Sequence, residues 1–227
     1  MMNLTTPFTY GAHKRKEVNG SRHYLTESGQ PVPSVTTILS ATKDMTHLKA
    51  WKQRVGEEKA VQITKESAGL GSTMHAHLEN HILGQPRPGG TNMGRVMAAK
   101  MADVIIEKGL CEVDEVWGTE VPLIYDTLWA GTTDLVGVHK GEPAIMDFKN
   151  TIRPKKPEYV DDYRLQLTAY AGCHNLTFGT QITKLVIFMV SRDLEYQEFV
   201  WHVHDWEKNW SDWVNRVATY YETRPLV

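Results

Sequence analysis

At 227 residues, 41% of them hydrophobic and 23% charged, the chain is long enough for one substantial core and has the composition of an ordinary globular protein. Its formal net charge of −2 excludes a globally basic nucleic-acid binder, so any such contact needs a local basic groove. The two cysteines, Cys111 and Cys173, make no disulfide framework and no zinc pattern, no apolar run reaches the roughly 20 residues of a membrane span, and the first nine residues carry no signal-peptide pattern; together these predict reduced thiols and a cytoplasmic protein.

In chain order, residues 22–26, a Glu27-Ser28-Gly29-Gln30 turn and Pro31-Val32-Pro33 predict a short hairpin. Ser34 suits a helix N-cap before residues 35–41. A second helix is expected over 46–65, with apolar Leu48, Trp51, Val55 and Ala60, and a third over 67–83, ended by the Gly84 to Gly90 run. A fourth covers 93–108 and closes at Gly109. The period then changes. Residues 112–123, 128–139 and 144–149 predict strands, with Lys140-Gly141-Glu142 as a hairpin turn. Residues 158–175 return to helix, 184–190 and 195–203 predict two paired strands, and 205–223 an amphipathic helix with Trp206, Trp210, Trp213 and Val217 on one stripe. This order predicts a mixed α/β core decorated by an N-terminal helical layer.

Several constellations carry chemistry. In Ala144-Ile145-Met146-Asp147-Phe148-Lys149 an apolar strand delivers a carboxylate and an ammonium to the same face, because residues i and i+2 of a strand point the same way. Gly131-Thr132-Thr133-Asp134 should put Asp134 on the neighbouring antiparallel strand. Two carboxylates so close are unfavourable without a cation between them. Against this, Asp134 capping a turn and Asp147 ending a strand in water is the bland alternative.

The helix around Met74-His75-Ala76-His77-Leu78-Glu79-Asn80-His81 has the wrong spacing for a zinc protease, since its Glu does not follow the first His directly. Met74, Leu78 and Ile82 form its buried stripe, with His75 at the core edge and His77 and His81 expected on a solvated face. Gln166 and Tyr170 share a helical face at i and i+4. Arg164 is a candidate phosphate contact beside Lys155 and Lys156, the two lysines fitting a solvated cluster better. Trp51-Lys52-Gln53-Arg54 interleaves an aromatic with cations, the chemistry of single-strand binding, although Trp51 as a core anchor explains the spacing equally well.

His75, Asp134, Asp147-x-Lys149 and Gln166-x-x-x-Tyr170 stand in the order of the PD-(D/E)xK nucleases, and the Gln-x-x-x-Tyr element resembles the RecB-like branch. Within it the texture of Pro33-Ser34-Val35-Thr36, Trp51-Lys52-Gln53-Arg54 and His75-Ala76-His77-Leu78-Glu79 is most similar to the mitochondrial genome maintenance exonucleases, which act on single-stranded DNA. The resemblance runs from Val32 to the C-terminus.

It implies a mixed central sheet flanked by helices, with an N-terminal helical arch over the strand path. Residues 1–110 would hold the hairpin, arch and first-motif helix and 111–227 the nuclease core, in one continuous domain. It implies Mg²⁺ or Mn²⁺ held by His75, Asp134, Asp147 and the Phe148 carbonyl, the His donor favouring Mn²⁺ alongside Mg²⁺. Lys149 would be the catalytic lysine, Gln166 and Tyr170 would position the strand, and Ser34, Thr36, Trp51, Lys52 and Arg54 would lie near DNA. With no presequence visible and no cysteine set for an iron–sulfur cluster, the expectation is a monomeric bacterial or phage exonuclease acting on single-stranded DNA in replication, repair or recombination. An endonuclease on the same fold and a non-catalytic single-strand binding module are the rivals. The intact Asp147-x-Lys149 pair speaks against the second.

Overall fold

The computed structural model describes residues 2–224. Three short antiparallel strands, β1 (Arg15–Val18), β2 (Ser21–Leu25) and β3 (Pro31–Pro33), form a small sheet in that order. The sequence reading found β2 and β3 but not β1, whose Arg-Lys-Glu-Val run is exposed and has no period-2 pattern. Helix α1 (Val35–Thr42) starts where the Ser34 hydroxyl accepts from the Thr37 N–H, as expected of an N-cap.

The next two helices break elsewhere than predicted. Helix α2 (Thr46–Val55) stops at Gly56, whose φ of +88° suits a residue without a Cβ, and α3 (Glu57–Ile82) then runs on without interruption. The expected gap near Ser67 does not form. Glycines are tolerated inside a helix when a face is buried, and Leu70, Met74, Leu78 and Ile82 bury such a face. Helix α4 (Met93–Lys108) has the predicted bounds, with Asn92 as its N-cap.

The main sheet has strand order β4 (Val113–Tyr125), β5 (Trp129–His139), β6 (Glu142–Thr151), β7 (Lys184–Ser191), β8 (Tyr196–Trp201). Lys140 and Gly141, both at positive φ, make the two-residue turn between β5 and β6. β6 and β7 are parallel, joined by α5 (Asp161–Phe178), and every other neighbouring pair is antiparallel. Helix α5 begins and ends three residues later than predicted. A single turn of 3₁₀ helix precedes it, and Gly179 in the left-handed region ends it. Helix α6 (Trp206–Thr223) closes the chain, with Trp213 and Val217 buried and Trp206 and Trp210 half-buried.

The sheet is covered on both faces. On one, α1, α5 and α6 share a core with Trp129, Val136, Ile145 and Ile187; on the other, α3 and α4 share one with Leu135, Met146, Phe148 and Phe188. Helix α2 joins α1 on the first face to α3 on the second, and none of its described side chains enters either core. It is a helical bridge between the layers. Among the described residues no helix is long and apolar enough to cross a membrane.

Candidate active site

The ladder between β5 and β6 ends at the rung Leu135–Met146. One residue further, the chains splay. The Asp134 carboxylate, rather than a backbone carbonyl, now accepts the Phe148 N–H at 2.8 Å. In a strand the N–H and C=O of one residue face the same neighbour, so the Phe148 carbonyl turns toward this split too. Asp147 comes from the fully apolar run Ala144-Ile145-Met146 and is 1% exposed. Lys149 stands beside it and donates to its Oδ2, as the i, i+2 spacing requires.

Both layers reach the split. From α5, the Gln166 amide donates to Asp147 Oδ1 at 3.2 Å and lies 3.3 Å from the Tyr170 hydroxyl. Both side chains are buried, so they hold Asp147 in place more than they face a bound strand. Tyr170 packs so closely over β5 that a Cβ on Gly131 would sit 2.4 Å from its ring. That explains the glycine three residues before Asp134. From α3, His75 Nδ1 lies 3.3 Å from Asp134 Oδ1, and its ring meets Phe148 edge-on.

These groups line one cavity of about 200 Å³. It holds His75, Asp134, Asp147, Lys149, Gln166 and Tyr170 together, with Ser34 and Thr36 from the start of α1 at its rim. The cavity continues along α3 into a groove of about 460 Å³ past Gly71, Ser72 and Asn150, with Phe148 in its wall.

The electrostatics follow from the crowding. Burial and then the Asp134 charge push Asp147 up to about 6. Burial would raise Asp134 as well, but the charge and hydrogen bond of His75 hold it below the usual carboxylate value. Burial works against the charged His75, yet Asp134 outweighs it and raises the imidazole to about 9. Lys149 is desolvated, and Asp147 nonetheless raises it above the usual lysine value. Without a cation, His75 and Lys149 are the charges that make two neighbouring carboxylates tolerable.

Several expectations need correction. Arg164, expected as a phosphate contact, does not line the cavity. It lies two residues, about 200° of helix turn, from Gln166, so it points away from the cavity. Its side chain is 8% exposed and its guanidinium is spent on Asp161, Asn209 and Asp212. His77 is not on a solvated face: it is 3% exposed and accepts from Arg87 Nε at 3.2 Å. The Gly84 to Gly90 loop folds back over α3, which the helical period could not show. Ser34 lines the cavity, but its hydroxyl is occupied by Thr37 and Thr36, whereas Thr36 is exposed. Trp51, Lys52 and Arg54 lie on the bridging helix and do not line the cavity. Trp51 is half-buried and belongs to neither core face, so it is not a core anchor.

Sequence reasoning missed Arg15, Arg22, Tyr24, Thr132 and Glu120, all in the cavity wall. The first three arrive on the small sheet, whose position no local pattern encodes. Glu120 carried no signal, since it is an exposed acid in a strand that also holds Asp114 and Glu115. It sits at φ +48° with its carboxyl pushed up to about 7 by burial and the Asp134 charge.

No model of a known protein family matches the sequence, and no curated protein matches it. The chain resembles the crystal structure of a presumed exonuclease of Eubacterium rectale, at a TM-score of 0.50 and 15% identity over 68% of this chain. It spans 64% of that structure's length. An alkaline exonuclease of Laribacter hongkongensis aligns at a TM-score of 0.27 and 14% identity, over 67% of this chain and 81% of that one, too low to carry an argument. The chain therefore has the mixed α/β fold of the first structure, a five-stranded sheet flanked by helices.

Proposed function

We propose that the protein is a divalent-metal-dependent DNA exonuclease that hydrolyses phosphodiester bonds from single-stranded ends. The observation that carries this reading is the split between β5 and β6, where Asp134, Asp147, Lys149, His75 and Gln166 converge on one cavity from four elements. Few other chemistries call for a buried carboxylate pair with a lysine at i+2 of one member. The description of the fold neighbour as a presumed exonuclease agrees with it.

The donors fit a hard cation. Asp134 and Asp147 face one another across the same cavity, ligand atoms of His75, Asp134 and Glu120 lie within 4.8 Å of one another, and carboxylates with a carbonyl are the donors that Mg²⁺ or Mn²⁺ takes. His75, Asp134, Asp147 and the Phe148 carbonyl would hold it. The ion would supply positive charge against the scissile phosphate and lower the pKa of a water it holds.

The protein's own groups do the rest. Gln166 fixes the rotamer of Asp147, and Tyr170 fixes Gln166. Lys149, beside Asp147, orients the attacking water and offsets charge that develops on the phosphate. Thr36 and the bridging helix with Trp51, Lys52 and Arg54 would guide a single strand toward the cavity, stacking a base on the indole and pairing phosphates with the cations.

The test is digestion of 5′- and 3′-labelled single strands with Mg²⁺, Mn²⁺ or EDTA, beside linear duplex and circular single-stranded DNA. The reading expects shortening from an end that needs metal and vanishes in Asp147→Asn. Cleavage of circular single strands would favour an endonuclease. Binding without cleavage in any metal would leave only the binding module.

A further inference from the structure

We propose that Glu120 is a cation ligand, forming with His75 and Asp134 a second ion position beside the one at Asp134 and Asp147. The inference rests on the metal-dependent reading of the site above and adds a residue that the sequence motifs do not contain. Glu120 lies between Thr119, which faces Leu135, and Val121, which faces Thr133. It therefore stands across from Asp134 on the adjacent strand. Directly opposed like charges destabilise a strand pair, and the pair persists here without any hydrogen bond or ion pair fixing the Glu120 carboxylate among the described residues.

The neighbouring acids are different. Asp134 is held by the Phe148 N–H and His75, and Asp147 by Lys149 and Gln166. The Glu120 side chain is exposed and makes no hydrogen bond or ion pair among the described residues, and the His75 and Arg15 charges act on its carboxylate from beside the groove. The donor atoms of His75, Glu120 and Asp134 all lie within 4.8 Å of one another, a span one ion bridges, and they come from three separate elements. Asp147 is not in that set. Asp134 and His75 thus belong to two overlapping donor groups, one with Asp147 and the Phe148 carbonyl and one with Glu120. Shared carboxylates are how paired ions a few ångströms apart are held in phosphodiester chemistry. The backbone of Glu120 adopts φ +48°, rare for a residue with a side chain, and this orientation brings its carboxylate to the groove along α3.

The test is Mn²⁺ binding to the full chain by calorimetry, with paramagnetic resonance counting the ions, in the wild type, Glu120→Gln and Asp147→Asn. Thermal melting without metal accompanies each. The expectation for Glu120→Gln is an unchanged or higher melting temperature without metal, loss of one bound Mn²⁺ and retention of the other. Mn²⁺-driven thermal stabilisation should shrink accordingly. Asp147→Asn should lose the opposite ion. Glu120→Gln with wild-type stoichiometry and affinity overturns the inference while leaving the nuclease reading standing, provided the wild type still degrades DNA only with metal. A wild type that binds no Mn²⁺ overturns both. Because Gln keeps the shape and removes the charge, a variant that simply misfolds is not the expected outcome; if it melts far lower without metal, Glu120 is structural and the inference fails.

Discussion

Arg164→Ala separates a structural arginine from a DNA-binding one. The guanidinium is 8% exposed by side chain and makes contacts of 2.6 to 2.9 Å with Asp161, Asn209 and Asp212. Truncating one partner of a buried charge network costs about 3–5 kcal/mol. Here the acids are partly solvated, Asp161 at 60% and Asp212 at 34%, so water can take them back when the arginine goes. The lasting loss is the bond to buried Asn209 and the packing of the α5–α6 contact. We therefore expect about 2–3 kcal/mol. At roughly 2–4 °C per kcal/mol for a chain of this size, the melting temperature should fall by roughly 4–12 °C. Single-strand affinity and its salt dependence, measured well below the melting temperature, should stay at wild-type values, since no phosphate contact is lost. A variant that melts normally but binds DNA several-fold more weakly, with a shallower salt slope, would refute the assignment.

Two further outcomes test the cavity and the bridge. Lys149→Ala should lower turnover by at least about 10²-fold, the scale for losing a charge-stabilising donor, with Mn²⁺ affinity by calorimetry little changed because an ammonium is not a ligand. Trp51→Ala should weaken single-strand binding by about 1–3 kcal/mol, the worth of one base stacked on an aromatic ring; melting should barely move, since Trp51 lies outside both faces of the core.

Much of the site was legible because it is carried by local spacing. Asp147 and Lys149 at i, i+2 on a strand, and Gln166 and Tyr170 at i, i+4 on a helix, can only share a face. The apolar run before Asp147 fixes which strand buries it. The sequence could also place α4 and β4 to β8 within a residue or two, since their hydrophobic periods and glycine stops are strong. What it could not show were distances between elements. Whether Arg164 meets phosphate or Asp212 depends on α6 packing against α5, some 48 positions later. His77 looked solvated because the loop that covers it has no period. Glu120 became a candidate only when the register of β4 against β5 set it across from Asp134. The break at Gly56 and the continuity through Ser67 show the same limit. Three glycines lie between residues 56 and 71, and only the one without a buried face around it ends a helix.

The site is also a liability to the metal-free fold, and that liability has a pH signature. A carboxyl whose folded pKa lies above its unfolded value loses stability as pH rises between the two. For Asp147 this window runs from the ordinary 3.8 to about 6, and for Glu120 from 4.5 to about 7. His75 has the same sign for another reason. Its charged form is favoured in the fold by Asp134, so that stabilisation is complete below 6.5 and is lost as pH rises to about 9. Asp134 runs the other way, stabilising above its unfolded value and losing this only in stronger acid. The metal-free site should therefore contribute most near pH 4–5 and progressively less up to pH 9. A cation reverses the trend, because it requires His75 neutral and the acids ionised; saturating Mn²⁺ at about 100 times its Kd would add roughly 2.7 kcal/mol. The measurement is melting temperature against pH, with and without Mn²⁺, for the wild type and for Glu120→Gln. The difference curve between the two metal-free proteins isolates Glu120 and should rise between pH 4.5 and 7, in favour of the variant. A flat difference curve would mean that water, not Asp134, surrounds the Glu120 carboxylate. A wild type whose Mn²⁺-induced shift does not grow with pH would mean that His75 is no ligand.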